Sequence, residues 1–405
     1  LVIAFLLGSF TVTAQETQKL DVKQALEIGL KNNQNIQASE LEVKMQSQMQ
    51  KTAFELPKTE LLGTFGQINS QAQDKNFNIS QSFNPFQISA KRNLLKEYSN
   101  ASATKLGVSK QEVTYSIRQS WNTLLYYEKE NDVLEKQNVV MQKFVKSANL
   151  KFQTGETNAL EKTIASAKQQ ELEQKIKQNK AQIAIEKSKL KVILDLKTDF
   201  IAIDTSFVPY PAMAKVDSSM VKQNPIVQLA NQQVQIAQAI HKGEDSAVYP
   251  DFSVGYFLQS IAGNQDVNGT PTYYNNSPQF QGFSVGIAVP LFAGSNIAKA
   301  KAAKTNIERE QKNADYINQQ FKSHLEQQSE QLTTYGSLIE YYKNTAMPNA
   351  NLIIKNATKG YQNGDISYVE YVQSIETASQ IQLNYYEAIY NYNQTIITIQ
   401  YSINQ

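Results

Sequence analysis

Apolar residues recur at alternating four- and three-residue steps in the last part of the chain. A second series, Ile176, Ile183 and Leu190, has seven-residue spacing. Both patterns predict helices with a narrow apolar stripe, which is typical of a coiled coil rather than of a globular helix. The positions of the first series are Tyr385, Ile389, Tyr392, Ile396, Ile399 and Ile403.

Two long segments are predicted to be single helices. They are Lys91–Asn149 and Ile297–Ala357, and each helix would extend about 90 Å at 1.5 Å per residue. Pro348 lies inside the second segment and is expected to bend the helix near its end. Helices of this length favour a rod or a tube over a compact globule.

Alternation with period two predicts four strands. The clearest one contains Phe283, Val285 and Ile287, which alternate with small or polar neighbours. One face of this strand is therefore apolar, which fits either a half-buried soluble sheet or a barrel with lipid outside and water inside. Between the last two strands, Ala262–Gln279 is predicted to be a long loop. The predicted strands are Thr59–Ser70, Phe77–Phe83, Asp251–Ser260 and Phe280–Val289.

The chain also shows an internal duplication. Aligning Gly155 with Gly364 (364 − 155 = 209) also aligns Phe152 with Tyr361. In the same order upstream, helical segments end at Leu56-Pro57 and at Tyr249-Pro250. Each half is predicted to contain a helix, two strands, a very long helix, a tip turn and a helix. The first half comprises residues 15–195, a connecting segment residues 196–214, and the second half residues 215–405.

The N-terminal segment predicts export. Leu1–Phe10 is almost wholly apolar, and Val12-Thr13-Ala14 offers a small residue before Gln15. We expect residues 1–14 to be a signal peptide, because the apolar run is too short to span a membrane as a helix.

Composition makes several classes of function improbable. Lys and Arg number 39 against 37 Asp and Glu, a net charge of +2, so nucleic-acid binding lacks its electrostatic basis. The chain has no Cys and only two His, and no nucleophile–base pair, phosphate loop or metal-spaced cluster is evident. We therefore expect no catalytic residues, no cofactor, no metal site and no enzymatic activity.

The order of elements and several short motifs resemble the TolC family of outer-membrane efflux channels. The motifs are ALEIGLKNN at Ala25–Asn33, VPLFAG at Val289–Gly294, and the two aromatic-x-x-Gly turns at Phe152–Gly155 and Tyr361–Gly364. The resemblance implies a homotrimer in the cell outer membrane. It also implies a mainly α fold in which long helices form a periplasmic α-barrel and the strands form a 12-stranded transmembrane β-barrel.

A physical argument leads to the same assembly. Strands in lipid must close so that no edge is left unpaired, and four strands are too few, because single-chain barrels begin at eight. Two copies would form a barrel filled by its own side chains, whereas three copies leave room for a water-filled lumen. If the strands lie in the membrane, a trimer follows.

In the resembled family, two helix–turn–helix tips contact a periplasmic adaptor and close the channel at rest. Carried onto this chain, the adaptor contacts are Phe152, Gly155, Thr157, Tyr361, Gly364 and Ile366. The two glycines are expected to allow tight helix ends. Glu161 and Glu370 are the expected gate carboxylates, while Gln373 stands where the family often has a second acidic residue, which argues against a double acidic ring. Solvated glutamates on the helix surface are the alternative interpretation.

The function implied by the resemblance is a passive export duct. It would work with an adaptor (membrane fusion) protein and an inner-membrane pump of RND type, in contact with outer-membrane lipid. The segment Lys51–Phe83 is similar to the branch that exports heavy-metal cations, and drug export remains open. The alternatives are a type I protein secretion duct and a secreted coiled-coil structural protein.

Overall fold

The computed structural model describes residues 18–68, 70–204, 206–213, 217–278 and 280–404. The predicted signal peptide, residues 1–14, lies outside these ranges. Across them, none of the helices combines the length and the apolar character needed to cross a membrane.

Most of the described chain is helical. The predicted long helices are present, and the first of them comprises 69 residues. It begins six residues before the predicted start, because the Asn84 side chain accepts hydrogen bonds from the backbone N–H groups of Phe86 and Gln87 and Pro85 opens the first turn. The helices are α1 Val22–Asn32, α2 Gln34–Gln50, α3 Pro85–Gln153, α4 Ala159–Leu194, α5 Pro225–Ser246, α6 Gly294–Tyr341, α7 Met347–Asn363 and α8 Tyr368–Ile403.

The second long helix is interrupted near the proline that was expected to bend it. Helix α6 ends at Tyr341, a π-helical turn follows at Tyr342–Ala346, and Pro348 lies in the first turn of α7. Proline has no N–H to donate to the preceding turn and its ring crowds the carbonyl there. The wider π turn accommodates this local break in the hydrogen-bond ladder.

Four strands form one antiparallel sheet in the order β2-β3-β5-β8. All four predicted strands are found, and their ends differ from the predicted ones by four residues or fewer. The short pair β1–β4 is parallel and separate from this sheet. The strands are β1 Gln18–Leu20, β2 Glu60–Gly66, β3 Asp74–Phe83, β4 Phe200–Ala202, β5 Asp251–Gln259, β6 Gly263–Val267, β7 Thr270–Tyr274 and β8 Phe280–Ala288.

The segment predicted to be a long loop between β5 and β8 contains a hairpin, so that prediction was wrong. Strands β6 and β7 pair antiparallel around Asn268-Gly269, whose φ angles are +55° and +83°. Both central residues therefore have positive φ, as a two-residue hairpin turn requires, and Asn-Gly is the sequence best suited to it. The abundance of Gly, Asn and Tyr concealed this local signal.

The chain divides into two compact units. Unit 1 contains the residues up to Ala38, Gly107–Pro225 and the residues from Gln319 onward, while unit 2 contains Ser39–Leu106 and Ile226–Asn318. Each unit therefore draws segments from both predicted halves of the sequence. The four-stranded sheet belongs to unit 2, and α4, α7 and α8 belong to unit 1.

The segment that connects the two halves is packed within unit 1. The Trp121 indole N–H donates to Asp204 Oδ2 at 2.8 Å, and its ring stacks on Phe200. Further along, the Asn393 side chain donates to the Val208 carbonyl at 3.0 Å and accepts from the Tyr210 backbone N–H at 2.8 Å. These bonds hold the segment against the helices.

The sequence offset of 209 also relates the last helices of the two halves. Helices α4 and α8 both contain 36 residues, and their bounds differ by this offset (159 + 209 = 368 and 194 + 209 = 403). Asn33, before α2, donates a side-chain hydrogen bond to the Ile193 carbonyl near the end of α4. Asn224, before α5, donates the corresponding bond to the Ser402 carbonyl near the end of α8. The two carbonyls again differ by 209 residues.

Gly29, in the ALEIGLKNN motif, is buried against its neighbours. A Cβ atom at this position would lie 2.3 Å from Ile117 Cδ1 and 3.1 Å from Leu194 Cδ2. We therefore expect Gly29→Val to cost about 1–3 kcal/mol through overpacking, seen as a lower thermal unfolding midpoint in detergent. Gly243→Val is the matched control, because a Cβ there meets nothing within 4 Å. Because valine has a higher helix propensity than glycine, Gly243→Val should not lose stability, and equal losses in the two variants would contradict overpacking at Gly29.

Candidate functional site: an amphipathic sheet and two helical tips

The register of the four-stranded sheet gathers large apolar side chains on one face. Phe283 pairs with Tyr256, Val285 with Val254 and Ile287 with Phe252. Paired residues of neighbouring strands point to the same side of a sheet. The remaining strands continue this face, which we call the apolar face. Its other members include Leu258, Phe77, Ile79, Phe83, Leu61 and Phe65.

The opposite face consists mainly of small and polar residues. Ser284 pairs with Gly255 and Gly286 with Ser253, and the next strand adds Ser80. Among the described strand residues of this face there is no Lys, Arg or His. The sheet therefore separates an apolar side from a hydrophilic side, as the alternation in the sequence predicted.

Among the described residues, no layer covers the apolar face. Phe283, Val285 and Ile287 are 85%, 79% and 64% exposed, so the three lipid-facing residues predicted from sequence lie on an open surface. Within the described strands, β2 and β8 each pair on one side only. Soluble proteins avoid both a large apolar patch and a free strand edge. The sheet is suited to lipid on one face and to further strands at its edges.

The two predicted tips have the same backbone structure. Gly155 and Gly364 adopt φ angles of +77° and +80°, which glycine adopts at no steric cost. Around the first tip, the N–H groups of Gly155 and Glu156 donate to the carbonyls of Phe152 and Lys151 at 3.2 and 2.8 Å. At the second tip, the N–H groups of Gly364 and Asp365 donate to the carbonyls of Tyr361 and Gly360 at the same two distances. Both turns are tight helix endings of the Schellman type.

The two candidate gate carboxylates occupy equivalent positions just after the turns. Glu161 and Glu370 are each the third residue of a helix whose N-cap is Asn158 or Ser367. The Glu370 carboxylate accepts from the Ser367 N–H at 2.7 Å, which lowers the pKa of Glu370, and Glu161 is hydrogen-bonded to Thr157. Helix capping is thus a role that the sequence interpretation missed, although Ser-x-x-Glu at 367–370 is its signature.

An aromatic cluster joins the helices of the two tips within unit 1. Phe144 of α3 and Tyr368 of α8 pack in one cluster and are almost fully buried, and Tyr361 stacks on Tyr371 with ring centroids 4.9 Å apart. Lys151 from the first tip lies over the Tyr361 ring, 5.9 Å from its centroid. Apolar residues of α3 and α4 complete this tip core: Leu134, Met141, Ala148, Ala165, Leu172 and Ile176.

The remaining predicted tip residues differ in their surroundings. Phe152 is 38% exposed and is covered on one side by the Lys162 ammonium, 4.9 Å from the ring centroid. Ile366 packs near Gly360, where an added Cβ would lie 3.4 Å from its side chain. The described residues contain no group of three or more His, Cys, Asp or Glu placed to hold a metal ion.

Comparisons with known proteins identify the fold. No protein-family model and no curated protein sequence matches the chain. Solved structures do match. One is CusC, whose structures concern transmembrane channel formation, with a TM-score of 0.77 and 16% sequence identity. The match covers 96% of this chain and 93% of the CusC chain. The CmeC outer membrane channel of Campylobacter jejuni has a TM-score of 0.76 at 13% identity, with coverage of 94% and 85%. The outer membrane protein VceC of Vibrio cholerae has a TM-score of 0.74 at 11% identity, and the match covers 94% of this chain and 95% of the VceC chain.

This chain therefore has the fold of outer-membrane channel proteins. The predicted resemblance to the TolC family is confirmed at the level of the fold. The coverage extends over 94–96% of this chain, so the likeness is not confined to one of its two units.

Proposed function

We propose that this protein is the outer-membrane export duct of a tripartite efflux system. Three copies form a β-barrel in the cell outer membrane and a helical tunnel that extends into the periplasm. Substrates pass through it from an inner-membrane pump and a periplasmic adaptor to the exterior. The duct conducts its substrates passively, because energy enters at the pump. It does not transform them chemically.

The observation that carries this proposal is the four-stranded sheet, whose apolar face and two edges are left open by the residues that the structure describes. In lipid a sheet must close, since an unpaired backbone group costs several kcal/mol there. Three copies of four strands supply 12, enough to close around water. A secreted coiled-coil structural protein, the alternative from another class, accounts for the helices but not for this sheet.

The helical tips support the assignment of partners. Each tip is a tight turn whose geometry is fixed by glycine and by backbone hydrogen bonds, and Phe152 and Thr157, with Tyr361 and Ile366, lie at these turns. A rigid and repeated feature of this kind suits recognition by an adaptor protein. The pump is proposed to be of RND type, and the substrate a heavy-metal cation or a drug, with type I protein secretion as the alternative.

The assembly is tested by fractionation and light scattering. We expect the protein in the outer-membrane fraction, and a trimer after extraction into detergent. A protein that stays soluble and monomeric without detergent would contradict the duct.

A further prediction concerns the gate. Glu370→Gln keeps a side chain able to cap Ser367 but removes the charge that a ring of three carboxylates would place at a constriction. We expect lower cation selectivity and weaker block by divalent cations in single-channel recordings, with the trimer intact. Glu161→Gln is the comparison, and its effect should be smaller.

Two outcomes are informative. Unchanged cation selectivity and divalent-cation block in Glu370→Gln would show that this carboxylate only caps its helix in solvent. The gate assignment would then be wrong. Equal effects from both variants would instead place both carboxylates on the conduction path.

A further inference from the structure

The apolar series of β8 is short for a membrane. Along β8, Phe283 and Ile287 are four residues apart (287 − 283 = 4), about 14 Å at about 3.4 Å per residue. A strand tilt of about 35–45° reduces this to roughly 10 Å across the membrane, whereas barrels present an apolar band about 25 Å tall. Even with the reach of the side chains, these residues cannot fill that band.

At the far end of β8 the apolar series has no extension. Gln281 follows in the alternating series of β8 and is hydrogen-bonded to the Tyr256 hydroxyl. On the neighbouring strands the face continues to Leu258 and Phe77 and, on β2, to Phe65, which pairs with Lys75. Gln281 therefore limits the apolar series of β8 at this end.

At the other end, where the helices join the sheet, the alternation continues past the strand. Strand β8 ends at Ala288, yet Val289 and Leu291 keep the odd-numbered apolar series and are 56% and 83% exposed. Phe292 is 95% exposed and precedes the start of α6. Counting from Phe283 to Val289, the residue after the strand, gives six residues (289 − 283 = 6), about 20 Å along the strand direction and about 15 Å after tilt. Leu291 and Phe292 follow beyond Pro290.

The other three connections at this end also carry exposed aromatic residues. They are Phe54 before β2, Phe86 after β3 and Tyr249 before β5, with exposures of 71%, 45% and 49%. Phe86 and Tyr249 stack with ring centroids 4.6 Å apart. Aromatic residues at the ends of membrane strands typically lie at the lipid–water interface.

We propose that Val289, Leu291 and Phe292, which follow the last strand, insert into the acyl chains of the lipid leaflet on the helix side of the sheet. This inference rests on the proposed membrane sheet. It adds that the apolar band is completed by a segment outside the strands, with the aromatic residues of the other connections at its border. The occupant is lipid, because Val289 directly extends the apolar series of β8 and the two residues after Pro290 are large, apolar and almost fully exposed.

The experiment exploits the absence of cysteine from the chain. Phe292→Cys and Leu291→Cys are each spin-labelled in the full-length protein in phosphatidylcholine nanodiscs, and collision with oxygen and with a water-soluble nickel complex is measured. Val285→Cys provides the lipid reference, and Ser284→Cys, on the opposite face, the water reference. We expect labels at 291 and 292 to favour oxygen several-fold over nickel, as at 285, and the label at 284 to favour nickel.

Each contrary outcome has its own meaning. A lipid signal at 285 with a water signal at 291 and 292 would overturn this inference and leave the membrane sheet intact. Labels at 291 and 292 shielded from both reagents would overturn it in favour of contact with a second copy of the chain. A water signal at 285 would remove the membrane sheet itself, and the extension with it.

Discussion

Val285→Arg is expected to abolish most of the assembled trimer. Val285 lies in the middle of β8, on the apolar face, and is 79% exposed in the single chain. Arginine at the bilayer midplane costs a barrel about 2–4 kcal/mol, and a symmetric trimer carries the substitution three times. The measurement is trimer yield in the outer-membrane fraction, with thermal stability in detergent as the second readout.

Ser284→Arg is the matched control for this prediction. Ser284 is the neighbouring residue on the same strand and points to the opposite face, where it pairs with Gly255. In a barrel this side faces water, so the charge should be tolerated and should alter conduction instead. Normal trimer yield for Val285→Arg, or equal losses in the two variants, would contradict a membrane strand with this orientation.

The second large effect is expected at the tip core. Phe144 is 4% exposed and packs against Tyr368, so Phe144→Ala leaves a cavity between α3 and α8. Removal of a buried Phe costs about 3–5 kcal/mol. We expect faster hydrogen exchange and faster proteolysis around both tip turns, with the sheet and the trimer unchanged.

Phe152→Ala distinguishes packing from the mere loss of a ring. Phe152 is 38% exposed, and the ring contact it makes is with Lys162. Its removal should therefore change exchange at the tips far less than Phe144→Ala does. If the exposed and the buried phenylalanine have the same effect, the aromatic cluster does not hold the two tips together.

The pattern of apolar residues determined most of the secondary structure. Coiled-coil spacing predicted the helices α4 and α8, because a stripe with this period can be buried only along a helix. Alternation such as Phe283, Val285 and Ile287 predicted the four strands, because side chains change face at every residue of a strand. The positions of Gly155 and Gly364 in a repeated motif predicted two equivalent turns, since a helix ends readily at a residue that tolerates positive φ.

Tertiary structure decided what depends on contacts between distant residues. The order β2-β3-β5-β8 joins strands from both halves of the sequence, and no local pattern encodes which edges meet. The aromatic cluster around Tyr368 brings together residues more than 200 positions apart (368 − 144 = 224), so its members could not be distinguished from other aromatic residues in the sequence. The exposure of Leu291 and Phe292 likewise depends on where the chain turns into α6, because burial is a property of the packed molecule and not of the local sequence.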